Sequence, residues 1–345
     1  MTSGNHSSRV IGDDILASGL MLGFCIPGIG IYTLVIAAIL QNPSLRKKSY
    51  YILAAGLGIC DLIPLWITVL YAIPCTSLRQ NPPTICVYKV NALMGFLLNI
   101  GWYSGLPIIS YLAVNRYVSL CQPHYYAKLF SLRRVRNLLL IASAYGCAYA
   151  CISLANCCHL VYRAQGYTWM FDVPKFGSVI MGYSGLTQTA TTSLVALTLN
   201  CAVFRCYATL HRGQSHQFMT SHRESVRRQR EFKLFIQFFL ITLWLLVFSA
   251  LFVLTPFLAP SKWIGLSVNL IYIINCSING WIYSLLNATI RRSVLQFLFC
   301  RYSTMKSNAK IPPSSLPLTA SNATDIKQFE KMVINSPQTL VVACM

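Results

Sequence analysis

Charge is scarce in this chain. Only 10% of its 345 residues are Asp, Glu, Lys or Arg, and just eight are acidic; a soluble domain carries about 25% charged residues. That scarcity excludes an ordinary water-soluble globule and leaves few carboxylates for acid–base or metal chemistry. There is no HExxH, no CxxC pair, no cluster of metal ligands and no nucleophile paired with a base inside an apolar run. An enzyme is therefore not expected, and neither is a cofactor. Internal repeats are also missing, which counts against a transporter or channel built from duplicated halves. No cleavable signal peptide is evident, because the first apolar run is too long for a signal core.

What the chain has instead is apolar sequence: 55% of residues are hydrophobic. The runs are continuous and about 20 residues or longer, the length needed to cross a bilayer as a helix. They fall at 15–40, 50–73, 87–118, 137–162, 176–207, 231–259 and 264–286. Their continuity excludes a membrane β-barrel, whose strands alternate. The expected fold is all-α: a polytopic seven-transmembrane helix bundle over residues 15–288, with a short amphipathic membrane-surface helix at 289–301. Residues 1–14 form a polar N-terminus with a glycosylation sequon at Asn5. In 289–301, Arg291 and Arg292 alternate with Val294, Leu295, Phe297 and Leu298, and Cys300 is a lipidation candidate. Residues 302–345, rich in Ser, Pro, Asn and Thr, read as a disordered cytoplasmic tail.

The formal net charge is +20. The basic residues lie in short loops between the runs, so they set topology and face membrane lipid rather than nucleic acid. Of the 28 Lys and Arg, all but Arg9, Arg79, Lys89, Arg163, Lys175 and Lys262 lie on the side of the odd-numbered loops. The positive-inside rule then puts the N-terminus outside. Most of the 14 cysteines sit inside apolar runs and read as small hydrophobes. Cys75, Cys86, Cys157 and Cys158 fall near the outer face, where a disulfide is allowed.

Three features carry chemistry. Asp61 is the one acid well inside a run, and a carboxylate at that depth must be paired, hydrated or protonated. Asn275, Asn279 and Tyr283 recur at four-residue spacing and share one face of the seventh run. A polar network from Asp61 to Asn279 across the bundle follows. Arg116 ends the third run inside Asn115-Arg116-Tyr117, with Pro123 six residues beyond Tyr117.

Those three segments resemble the signature of rhodopsin-like G protein-coupled receptors. The match is to the Arg motif at the inner end of the third helix, the second-helix Leu57-x-x-x-Asp61 and a seventh-helix NPxxY-like Asn279-Gly280-Trp281-Ile282-Tyr283. The departures are specific. Asn115 replaces the family's acid, Gly280 replaces its proline, and the first run lacks the usual asparagine. Leu112–Arg116, Trp169-Met170-Phe171-Asp172 and Ile282–Arg291 look more like nematode serpentine chemoreceptors, class T first and class X second.

The resemblance implies a non-enzymatic chemosensory receptor that binds a small, apolar or volatile molecule and activates a heterotrimeric G protein. The alternatives are a receptor for a peptide or neuromodulator, and then a small-solute transporter or channel. It implies a plasma-membrane, multi-pass protein, in sensory cilia. Switch and coupling residues would be Asn115, Arg116, Tyr117, Pro123, Glu231, Asn279, Tyr283 and Asp61, with Glu231 holding Arg116 at rest and Arg227, Arg228 and Arg230 facing the G protein. The ligand pocket would draw on Trp102, Tyr103, Tyr183, Gln188, Trp244, Asn269 and Tyr272. The third run carries no acid in its outer half, which disfavours an amine ligand. Cys86 would pair with Cys157 or Cys158, tying the third helix to the second outer loop.

Overall fold

The computed structural model describes residues 3–79, 83–155, 157–172, 176–214, 236, 239–251, 254 and 261–308. The side chains of 3–10, 210–214 and 299–308 lie outside that description, as do Glu231, Arg227, Arg228, Arg230 and the tail beyond residue 308. So do the side chains of Asn5 and Cys300. The chain divides into two compact units, Met1–Phe297 and Leu298–Met345. Of the second, Leu298–Asn308 is helical.

The described helices follow the expected order. These are α1 (Ser3–Gln41), α2 (Ser49–Ile67), α3 (Tyr88–Cys121), α4 (Leu132–Ile152), α5 (Phe176–Gln214), α6 (Phe239–Leu251), α7 (Lys262–Leu286) and α8 (Ala288–Asn308). Among the described residues, five stretches are long and apolar enough to cross a membrane: Ile11–Gln41, Ser49–Ser77, Tyr88–Cys121, Leu132–Ile152 and Lys262–Leu286. α2 runs on through a π-helical turn at Thr68–Ala72 into Ile73–Ser77. The turn lies just beyond Pro64, which cannot donate to the ladder. α1 starts well inside the polar lead, at Ser3.

Local sequence sets the ends. Asn42 accepts from the Ser44 amide at 3.0 Å, ahead of the short helix Pro43–Arg46. Ser131 and Ser261 cap α4 and α7 in the same way. Asn287 separates α7 from α8, its Oδ1 taking the Thr289 and Ile290 amides at 3.1 and 3.3 Å. Of the apolar α8 stripe, Val294 is buried and Leu298 is exposed. Ile290 and Val294 enter the core beside Tyr50 and Tyr283, while Arg291 and Arg292 remain exposed.

Two expectations change at the end of the bundle where α2 finishes and α3 begins. The fourth run was expected to stay helical to Tyr162, but α4 ends at Ile152. The apolar triplet Leu160-Val161-Tyr162 opens a β-hairpin instead. In it β1 (Leu160–Arg163) pairs antiparallel with β2 (Thr168–Phe171). A three-residue apolar run reads alike as helix or strand, and Val and Tyr favour the latter. The disulfide also differs. Cys86 pairs with Cys75, not with Cys157 or Cys158, at a Cα separation of 5.9 Å. Cys75 sits on the last turn after α2 and Cys86 in the 3₁₀ turn Thr84–Cys86, so the bond closes a short loop. Cys157 and Cys158 instead place their sulfurs against Gly177 at the start of α5.

The hairpin is fastened to four helices. Asn91 of α3 takes the Tyr162 amide at 2.7 Å and donates to its carbonyl at 2.9 Å. The Tyr162 hydroxyl meets Thr76 Oγ1 at 2.7 Å. At the tip, Tyr167 is fully buried at φ 54°, and its hydroxyl donates to Asp14 of α1 at 2.6 Å. Burial, then that hydrogen bond and the carboxylate's charge, push the Tyr167 phenol well above its usual pKa, so it remains a donor. Arg79 pairs with Asp14 at 3.2 Å, and Lys262 of α7 with Asp13 at 2.5 Å.

Glycine lets the strands come this close. A Cβ on Gly95 would lie 1.9 Å from the Leu160 carbonyl oxygen, and one on Gly265 would lie 2.0 Å from that of Gly166. Neither oxygen can rotate away, since both are backbone. Gly95→Ala should therefore cost about 1–3 kcal/mol of stability. The check is thermal unfolding of the purified protein, and a midpoint equal to wild type would refute the close approach.

Candidate functional site

The polar centre of the bundle forms where α1, α2 and α7 meet. Asp61 of α2 accepts two hydrogen bonds at Oδ2. One comes from the Tyr32 hydroxyl of α1 and the other from Asn279 Nδ2 of α7 at 3.2 Å. The Asp61–Asn279 link is the one read from the sequence; Tyr32 was missed. Its aromatic ring occupies a slot between two glycines. A Cβ on Gly58 would lie 2.9 Å from that ring, and one on Gly280 would lie 3.2 Å from it. Glycine at 280 thus makes room for the residue that completes the Asp61 site. The signal was present in the sequence as two departures, a missing asparagine in the first run and a missing proline in the seventh.

Asp61, Asn275 and Asn279 border a small cavity, walled otherwise by apolar groups and Trp102. The space open to the centre of a water molecule is about 20 Å³, enough for a water and far too little for an organic ligand.

One helical turn from Asn279 the site changes character. Tyr283 is fully buried and meets Tyr50 edge-on, ring centroids 6.3 Å apart. Arg116 of α3 is 8% exposed, and its guanidinium carbon lies 3.5 Å from the Tyr50 ring centroid. Arg116 Nε and Nη2 have no hydrogen-bond partner among the described residues. A cation over an aromatic face is worth about 2 kcal/mol when desolvated, which offsets part of the cost of burying it. Asn115 turns away from Arg116. Its Nδ2 donates to the Tyr126 hydroxyl at 3.4 Å, and that hydroxyl meets Ser49 Oγ at 2.8 Å. Tyr117 is half-buried against the same core, and Pro123 is exposed at the first position of the short helix Pro123–Leu129.

The proposed pocket residues do not form one group. Trp102, Phe248 and Tyr272 pack as an aromatic trio, with centroids 5.4–6.2 Å apart. Trp244 lies in α6 between Ile241 and Leu245, both of which border the cavity. Tyr103 faces the other way, onto Tyr149 of α4 at 4.0 Å. Asn269 is turned toward α1, its Nδ2 3.3 Å from Met21 Sδ. Gln188 takes a bond from Tyr145 at 2.5 Å on an exposed seam, and Tyr183 is 69% exposed. Azimuth around a helix was not legible: a step of one residue rotates a side chain by about 100°.

This arrangement can be compared with known proteins. The model of the serpentine type 7TM GPCR chemoreceptor family Srx matches residues 23–287. The chain belongs to that family. Class X is thus the serpentine group it falls in, where the sequence motifs had favoured class T. The receptor also superposes on the crystal structure of squid rhodopsin with a TM-score of 0.70. That match covers 87% of this chain and 93% of the rhodopsin chain at 14% identity, and it speaks to the fold alone. Among curated protein sequences, none matches. Seven-helix receptors of this class are not enzymes.

With Asn279 replaced by Leu, Asp61 would keep only Tyr32 as a donor. We expect a loss of about 1–3 kcal/mol, read as a lower thermal midpoint. An unchanged midpoint would mean the Asp61–Asn279 bond contributes nothing.

Proposed function

We propose that this Srx receptor binds a small apolar molecule near the hairpin end of the bundle and activates a heterotrimeric G protein at the Arg116 end. The observation that carries this reading is Arg116 itself. It is a buried cation without a carboxylate among the described residues, resting on Tyr50, which Tyr283 braces edge-on, at the end of a path that leads back to Asp61. A charge stored in that way is favourable only while the aromatic contact lasts, so parting α3 from α2 would release it toward a partner. Charge placement supports the orientation: the hairpin end outside, the Arg116 end in the cytosol of a plasma membrane. A sensory-cilium location and a nematode source rest on the serpentine resemblance alone.

The ligand class follows from the hairpin end. Asp13, Asp14, Arg79, Tyr167 and Lys262 interlock there, and β1 and β2 lie against the helices. That favours a small molecule over a peptide, whose length needs an open mouth. The trio of Trp102, Phe248 and Tyr272 offers an apolar wall with few polar groups. An odorant-sized guest requires the trio to part, because the present cavity admits only a water.

Tyr50→Leu should raise ligand-free signalling by roughly 5- to 30-fold, the worth of about 1–2 kcal/mol of lost cation–π contact. Tyr50→Phe, which keeps the ring, should stay near wild type. The assay is a G-protein reporter normalised to surface expression; equal signals from Leu and Phe would remove the aromatic hold from the mechanism. Arg116→Ala should abolish coupling at normal expression, and retained coupling would overturn the reading. Asn115→Asp places a carboxylate beside Arg116 and should lower basal signalling; a level unchanged from wild type would count against a weakened resting hold.

A further inference from the structure

Outside the bundle, His159 sits in a network that counts protons. It lies in the connection between α4 and β1 and is 8% exposed. Its Nε2 is 3.1 Å from the Leu154 carbonyl oxygen. A carbonyl only accepts, so Nε2 carries a hydrogen. Its Nδ1 is 2.8 Å from the Tyr88 hydroxyl at the first residue of α3. That hydroxyl in turn donates to Asp172 Oδ2 at 3.1 Å, just after β2. The Asp172 amide closes the loop by donating to the His159 carbonyl at 2.9 Å.

Tyr88 has one hydroxyl hydrogen. When it goes to Asp172, the Tyr88 oxygen is left as acceptor, and Nδ1 must donate to it. Both ring nitrogens then carry hydrogens, and His159 is an imidazolium. When His159 is neutral, Nδ1 is a bare lone pair. The Tyr88 hydrogen must then turn to it, and Asp172 loses that donor. Every contact is made at once only in the protonated form.

We infer that His159 is a proton-binding site that clamps the hairpin to the third helix. A proton from solvent adds to Nδ1, the Tyr88 O–H swings to Asp172, and the Asp172 carboxylate becomes the counter-charge one hydroxyl away. Among the described residues, the charged or titratable groups near it include Arg163 at the end of β1, 3.9 Å from Asp172, and Cys157 and Cys158 in the same connection. Arg163 keeps its charge at any working pH. From α5, Ser178 fixes the backbone by donating to the Cys157 and Asp172 carbonyls at 2.9 and 3.0 Å. The ligand of this site is the proton itself. The inference goes beyond the receptor reading and does not depend on it.

The sign is fixed by the hydrogen count. Acid favours the clamped hairpin, and raising the pH removes one bond of the network. The test is hydrogen–deuterium exchange of the full-length receptor in detergent at pH 5.5 and 8.0, read on peptides spanning 160–171 and corrected for intrinsic rates. Wild type should exchange roughly fivefold more slowly at pH 5.5, the ratio given by about 1 kcal/mol for one net hydrogen bond. His159→Gln should lose this dependence. Tyr88→Phe, at a half-exposed position where folding is not at stake, should lose it too. A flat wild-type profile overturns the proposal, and so does a wild-type slope in either variant.

Discussion

The carboxylate of Asp61 is the constraint around which the bundle packs. A lone acid in a membrane-length helix is costly unless donors converge on it. Here they come from α1 and α7, so three helices are held in register by one side chain. The supply of donors explains sequence features distant from it. Tyr32 reaches Asp61 only because Gly58 and Gly280 leave space for its ring. The glycine at 280, which departs from the rhodopsin-like proline, is thus tied to the tyrosine in the first helix. The two departures make one arrangement.

At the other end the problem is inverted, a buried cation without a neighbouring acid among the described residues. Asn115 cannot supply one and spends its amide on Tyr126 instead. The chain answers with aromatic faces. Tyr50 lies under the guanidinium, and Tyr283 braces Tyr50 edge-on. Asn279 and Tyr283 stand one turn apart on α7, so the Asp61 site and the Arg116 site share a rigid element. Contiguity alone does not establish coupling. It does mean that a rotation of α7 that broke the Asn279 bond would also withdraw Tyr283 from Tyr50.

How much of this was legible follows from what periodicity encodes. Run length gave the helices and their order, and hydropathy with spacing gave Asp61 facing Asn279. The helix α8 itself was readable because charged and apolar residues alternate along it. Tyr32 and Tyr50 were not, since tyrosines in apolar runs look like packing until a partner is known. Several pocket residues went astray because an apolar helix carries little polarity contrast to fix its rotation. Trp102 and Tyr103 are neighbours in sequence and serve different interfaces. The Cys75–Cys86 bond was hidden by a choice among four candidate cysteines that only geometry resolves.

The hairpin is the largest departure from the reading of the runs, and its physics explains why it holds. Tyr167 adopts a left-handed conformation that costs a bulky residue about 1–3 kcal/mol. It is retained because its ring is fully buried and its hydroxyl is bound by a carboxylate already paired with Arg79. Asn91 binds both backbone polar groups of Tyr162, leaving β1 no freedom to slide along α3. Through these contacts the strands bridge α1, α3 and α7 and the extension of α2. Relative motion of α3 and α7 at this end must therefore either carry the hairpin along or break several buried hydrogen bonds together. Such an element resists small displacements and yields to large ones, the behaviour a two-state switch requires.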